Sequence, residues 1–262
     1  MTSKEQRELP VALHDLTWPE IEERKRDVKV VIIPIGSTEQ HGPHLRLATD
    51  TTRAYKFSLR VARELYPKVL VAPPIPVGIS AHHMGFTGSM TLRPSTLINL
   101  IIDYVSSLRQ HGFEKLFIIN AHGGNHNTIG VATESIRQEE GLLIPFLNYK
   151  TMTADVTREV IESGRIEHSG EWEVSDAMFL APELVKEEAL SEGGKGAYPW
   201  KYTDLYGQYR VDYPVVWHEI TNNGAMGDAR KASYEKGRAL NDKALERVVE
   251  FLEDYIGAEE GQ

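Results

Sequence analysis

Apolar and polar positions along this chain fall into blocks of two kinds. Short continuous apolar runs occur at 28–35 (VKVVIIPI), 68–78 (KVLVAPPIPVG), 115–120 (KLFIIN) and 142–148 (LLIPFLN). Runs of this length without alternation predict strands covered on both faces. The second is expected to be irregular at its prolines, which donate nothing to a ladder. Between these runs, apolar residues recur at helical spacing. Ala54, Phe57, Val61 and Leu65 mark one helix, with Thr49 or Asp50 in the N-cap place. Leu97, Leu100, Ile101, Tyr104, Val105 and Leu108 mark a second, beginning near Ser95 and stopped by Gly112. A third is predicted from about Asn127 to Glu140, and a fourth along GEWEVSDAMFLAPELV, ending at Pro182. A long last helix is predicted from about Asp228, with Leu240, Ala244, Val248, Leu252 and Tyr255 on its buried stripe. Strands alternating with helices predict an α/β protein, a three-layer α/β/α sandwich with a mostly parallel central sheet. No linker, repeat or low-complexity stretch interrupts it, so residues 1–262 read as a single domain.

Ligands of open α/β sheets bind beyond the carboxyl ends of the strands, and there the polar residues of this chain crowd. STEQHGPHLRLATD (37–50) follows the first strand, GISAHHMGF (78–86) the second, and NAHGGNHN (120–127) the third; IEHSGEWEVS (166–175) opens a helix. Glu39 and His41, two apart in extended backbone, project to the same side. Asp50, at the start of the next helix, can fold back over the strand end, and a carboxylate with two oxygens can bridge two cations. His122 directly follows its strand, and Gly123 and Gly124 permit a tight turn with close backbone approach. His168, Glu171 and Glu173 add an imidazole and two carboxylates. Taken one at a time these residues have ordinary readings: Asp50 as an N-cap, Glu171 and Glu173 as helix-start acids, His44 as a hydrogen bond within its own turn. His14, His111 and His218 keep such readings. Jointly, the others at successive strand ends point to metal binding.

The chain has 262 residues and no cysteine, which excludes disulfides, thiolate nucleophiles and Cys-ligated zinc. Any metal must therefore be held by His, Asp and Glu, a ligand set that suits Zn, Mn, Fe or Co. A net charge of −9 without a basic block argues against a nucleic-acid partner. No run approaches a membrane span and the first residues lack the apolar core of a signal peptide, so a cytoplasmic protein without membrane partners is expected. The stretch 191–227 is Gly-rich and aromatic (Tyr198, Trp200, Tyr202, Tyr206, Tyr209, Tyr213, Trp217). A loop that long caps a site or forms a subunit interface.

PIGSTEQHGPHLRLATD, NAHGGNHN and HSGEWEVS resemble the three signature blocks of the creatininase (creatinine amidohydrolase) family, and GISAHHMGFTGSMTL and NNGAMGDARKASYEKG resemble two further family blocks. The resemblance runs from about Val28 to the last helix. It implies an α/β/α fold, two divalent metal ions (Zn, Mn or Fe) per chain and a homohexamer. Carried over by position, Glu39 and His122 are similar to the ligands of one metal, His41 to a ligand of the other, and Asp50 to the bridge. Two departures point away from creatininase itself. The glutamate that creatininase itself carries two places after the third-block histidine is Gly124 here, and Glu173, or else Glu171, is left to supply that carboxylate. An aromatic and acidic pair that helps hold creatinine is Gly164 and Arg165 here.

The implied activity is hydrolysis of a small-molecule cyclic amide or formamide C–N bond by a water activated between two metals. By the resemblance His168 is the acid/base, Glu167 orients it, and Ser80 and His83 line the substrate pocket. Arg46 and Arg93 would serve a phosphorylated substrate. The alternatives are ring opening of a cyclic keto-sugar such as a dehydro-inosose and, in another class, a noncatalytic metal-binding oligomer.

Overall fold

The computed structural model describes residues 9–194, 197–205 and 208–258. Strand β1 (Val30–Ile35) is buried at all of its positions. It pairs in parallel with β2 (Val69–Val71) on one side and β3 (Leu116–Asn120) on the other, and β3 pairs in parallel with β4 (Phe146–Asn148). The order is β2-β1-β3-β4. Because side chains alternate along a strand, Val30, Ile32, Phe117 and Ile119 face one layer and Val31, Ile33, Ile35, Leu116 and Ile118 the other. Ahead of β1 lies the short helix α1 (Trp18–Arg24). The first layer holds α2 (Thr49–Glu64), through Phe57 and Val61, and the last helix of the chain, through Leu240, Ala244 and Val248. The second holds α3 (Pro94–Gln110), through Leu97, Ile101 and Val105, and α4 (His126–Glu140), through Ile129 and Ile136. The three-layer α/β/α sandwich read from the alternation of runs is the observed architecture.

After β4 come α5 (Ala154–Val160), α6 (Glu171–Leu180), the single turn α7 (Trp217–Ile220) and α8 (Tyr234–Gly257). The run 68–78 yields only Val69–Val71 as strand, followed by an isolated bridge at Ile75, because prolines at 73, 74 and 76 break the ladder. The run 142–148 likewise pairs only at Phe146–Asn148. The last helix starts later than its periodicity implied. Asp228 instead caps a short 3-10 turn (Ala229–Lys231), and Ser233 accepts from the Lys236 amide to cap α8.

Two features align the strand ends with the polar clusters. The register sets Ile35 opposite Asn120 and Asn120 opposite Asn148, so three strands end level. Gly36 then lets the first turn of α2 sit on the end of β1, since a Cβ there would lie 2.3 Å from the Thr51 backbone.

Candidate metal centre

That contact brings Asp50 back over the sheet edge. α2 begins at Thr49 with Ala48 as N-cap and no side-chain cap, so the capping reading of Thr49 and Asp50 does not hold. Asp50 faces histidines on both sides. Its Oδ1 lies 3.3 Å from His41 Nε2 and its Oδ2 3.3 Å from His122 Nδ1. Glu39 Oε1 is 3.2 Å from the same His122 Nδ1, and Glu173 Oε2 is 3.7 Å from His41 Nε2. Ligand atoms of His41, Asp50 and Glu173 form one group close enough to share an ion, and those of Glu39, His122 and His82 form another. All but His82 are buried.

The outward nitrogens set the tautomers. His41 Nδ1 donates to the Glu39 carbonyl at 3.2 Å, and His122 Nε2 donates to the Ile79 carbonyl at 2.9 Å. Each ring is thereby fixed with its other nitrogen facing inward, the orientation that backbone carbonyls commonly impose on metal-ligating histidines. Glu39 Oε1, His41 Nε2 and Asp50 Oδ2 are buried and have no hydrogen-bond partner among the described residues. Unpaired buried polar atoms are costly, and a cation coordinated by these donors would satisfy them.

The charges agree. Although burial opposes charging of each group, the neighbouring carboxylates, Asp50 foremost, raise His41 to about 9, and Glu39 and Asp50 hold His122 well above its usual range. The facing imidazolium groups in turn hold Glu39 and Asp50 below the usual carboxylate range. Carboxylates in excess here call for positive charge, and the donor set of the residues present fits divalent cations.

Other predicted residues fall into place around this cluster. The His168 ring stands 4.4 Å from His41 and 4.6 Å from His83, between centroids. Its Nε2 donates to the Gln40 carbonyl at 3.0 Å, and its Nδ1 faces Glu39 Oε1 at 3.9 Å. Burial and the His41 and His83 rings push it well below its usual range, so it is neutral with a lone pair toward the centre. Glu167 lies against Gly170 and Gly227, and burial raises its carboxyl; the bond that turns the His168 ring is made with Gln40, not with this glutamate. His83 accepts from Gln40 Nε2 at 2.8 Å and turns Nε2 toward Glu39 at 3.3 Å. Ser80 is a correction. Its hydroxyl is buried behind Glu39, donating to Oε2 at 2.5 Å, and lies outside the cavity wall.

Glu171 points the other way, to Lys236 at 2.6 Å and the Glu162 amide, which leaves Glu173 as the carboxylate of α6 that faces His41. His44 does not bond within its turn: Nε2 donates across to the Ser169 carbonyl at 2.8 Å. Ser169, at φ +54°, is further held by Glu173 through its amide at 2.6 Å. Sequence reasoning passed over His82, Gln40 and the buried Arg53, whose guanidinium donates to Glu173 at 2.9 Å and Asp176 at 2.7 Å. The doublet HH at 82–83 carried a signal for His82; nothing in the sequence distinguished Arg53.

A cavity of about 600 Å³ opens beside the cluster, walled by His82, His83, His168, Lys150 and the stretch from Arg210 to Trp217. The aromatic loop thus divides. Tyr213 and Trp217 line the cavity, whereas Trp200, Tyr202 and Tyr209 are exposed; Tyr206 lies outside the described residues. Arg46 binds the Glu183 carbonyl and Arg93 flanks α3, and neither lines the cavity. A hollow of about 710 Å³ between α1 and α3 is apolar and holds none of the cluster.

A parallel sheet that gathers imidazoles and carboxylates at its carboxyl edge, beside an open cavity, has the form of an α/β enzyme with its site at the strand ends. The chain belongs to the creatininase family: the family model described as creatinine amidohydrolase matches residues 14–252. It is 32% identical to a mycofactocin precursor peptide peptidase of Mycobacterium ulcerans, covering 94% of this chain and 89% of the relative. It is 27% identical to a 3-dehydro-scyllo-inosose hydrolase of Thermotoga maritima, covering 94% and 82%. A crystal structure of creatinine amidohydrolase superposes with a TM-score of 0.80 at 26% identity, covering 95% of this chain and 99% of the other. Identity to creatininase itself is lower than to either of the other two, as expected of a separate branch. The relatives are all hydrolases by name, and the protein is an enzyme of that class.

Proposed function

We propose that this protein is a metal-dependent hydrolase that adds water to a small-molecule carbonyl and breaks a C–N bond, acting through a centre for two divalent ions. One observation carries the reading. The two oxygens of Asp50 face two different histidines, each held by a backbone carbonyl with its other nitrogen turned inward. Glu39 and His122 would hold one ion, His41 and Glu173 the other, and Asp50 both. Creatininase structures are described in manganese and Zn–Zn forms, which supports zinc or manganese here. Such ions supply an acidified water and a polarised carbonyl.

The chain's own residues supply the rest. His168, neutral and turned inward, takes a proton as water is added and returns it to the leaving nitrogen. Gln40 fixes the ring for that transfer. His83 lines the substrate cavity, and Trp217 closes it from above the imidazoles, 5.2 Å from His168 between centroids. Glu167 acts through the backbone beside His168, where it packs against Gly170 and Gly227. The protein acts as one domain and as a homo-oligomer, with a hexamer expected from the family resemblance.

A peptidase and an amidohydrolase among the relatives support C–N cleavage. A second reading, opening of a cyclic keto-sugar, is favoured by the inosose hydrolase, which matches over 94% of this chain. Both need the same attack on a carbonyl. The test is metal analysis of protein purified without chelator, wild type beside Glu173→Ala, followed by a screen of cyclic amides, formamides, short peptides and cyclic keto-sugars. About two ions per chain, falling to one in the variant, is the expected result. One ion or none in the wild type overturns the two-metal reading.

A further inference from the structure

Lys150 is a cavity residue that this chemistry leaves unused. It stands two residues beyond Asn148 at the end of β4, as His122 stands two beyond Asn120 at the end of β3, and the register sets Asn120 opposite Asn148. Its backbone is tied on both sides: the amide donates to Asn148 Oδ1 at 3.4 Å, and the carbonyl accepts from Thr153 Oγ1 at 2.7 Å. The side chain therefore starts from a fixed point and lines the same cavity as Glu39, Asp50 and His122. Among the described residues its ammonium has neither an ion pair nor a hydrogen bond. Arg210, the other cation in this wall, is already paired with Asp212 at 3.1 Å and donates to the Leu205 carbonyl at 2.9 Å. Arg53, behind the centre, is held by Glu173 and Asp176.

A charge in a cavity wall is stabilised by a partner of opposite sign. The centre does not provide one once filled, since two divalent cations outweigh the three carboxylates Glu39, Asp50 and Glu173. We infer that Lys150 binds a free carboxylate of the substrate, so that the substrate is a small carbonyl compound carrying a carboxylate remote from the bond that breaks. A single ammonium matches a monoanion. Phosphate is better served by the planar fork of an arginine, and the guanidinium in this wall is engaged. The inference rests on the metal-hydrolase reading above and adds to it the anchor that selects the substrate.

The experiment is calorimetric titration of the metal-loaded protein with two probes that chelate metal through the same hydroxamate. One is neutral propionohydroxamic acid and the other is its carboxylate-bearing counterpart, N-hydroxysuccinamic acid. Wild type is expected to bind the carboxylated probe about ten-fold more tightly, an advantage that shrinks with added salt. Lys150→Met should lose that advantage and Lys150→Arg keep most of it, with neutral-probe affinity in each variant showing that the centre is intact. Equal binding of the two probes by wild type, or an advantage that survives in Lys150→Met, overturns the inference while leaving the metal centre in place. A larger gain from the corresponding phosphonate overturns the choice of carboxylate. Failure of the neutral probe to bind wild type removes the metal reading itself, and the inference with it.

Discussion

Glu173 is shared between Arg53 and His41: Oε1 accepts from Arg53 Nη1 at 2.9 Å while Oε2 lies 3.7 Å from His41 Nε2. Arg53 also donates to Asp176 at 2.7 Å, and Asp176 accepts from Asn241 at 2.7 Å and from the Tyr149 hydroxyl. A buried chain of charge from α2 through α6 to α8 thus sets the carboxylate that faces the histidine. Replacing Arg53 by methionine would strand two buried carboxylates. The expected loss is about 3–5 kcal/mol in chemical denaturation, together with loss of the ion assigned to His41 and Glu173. A destabilisation below about 1 kcal/mol would show that the network is not structural.

Gly124 stands two places after His122, where the resemblance to creatininase would put a glutamate, and this backbone has no room for one. A Cβ there would lie 2.4 Å from His122 Nε2 and 2.4 Å from the Ile79 carbonyl, the two atoms of the bond that orients the ring. Gly124→Ala is expected to weaken metal binding at the Glu39–His122 position by about 10- to 100-fold, read by competition with a chelator. Unchanged affinity would mean that the turn shifts freely.

Metal loading should release protons. In the metal-free protein His41 titrates at about 9 and His122 well above its usual value, so both are charged at neutral pH. Ion binding needs them neutral, whereas Glu39 and Asp50 are already ionised. Calorimetry at pH 7 in buffers of different ionisation enthalpy should detect about two protons released per chain, with fewer as pH rises past 9. The same sign makes apparent affinity increase with pH over this range. Loading without proton release would contradict the charge state assigned to the cluster.

His168 stands 4.4 Å from His41 between ring centroids and turns Nδ1 toward Glu39. His168→Gln should keep the wild-type metal content yet lower turnover of the substrate found by screening by about 100-fold or more. Loss of metal in this variant would make the residue a ligand rather than a proton carrier.

The order of layers was legible because short, β-branched apolar runs alternate with longer segments of helical spacing, and runs of that length suit strands covered on both faces. Glu39, His41, Asp50 and His122 were legible for a related reason, since residues just past such strands emerge at one edge of the sheet. Strand lengths at 68–78 and 142–148 were overestimated, because hydrophobicity does not report where prolines or a missing neighbour end the ladder.

What local pattern left undecided depended on direction. Glu171 and Glu173 are equivalent in composition, but two residues of helix turn a side chain by about 200°, so α6 aims one at Lys236 and the other at His41. Ser80 and His83 lie in one short block, yet one is folded behind Glu39 and the other walls the cavity. Arg53 reads as an ordinary helix arginine until α6 closes over it, and Lys150 gains its place only when β4 docks beside β3 in register. The amino-acid order supplied the strand ends and the chemistry carried there. Packing decided which atoms meet, because register and helix phase are properties of paired elements and no single segment contains them.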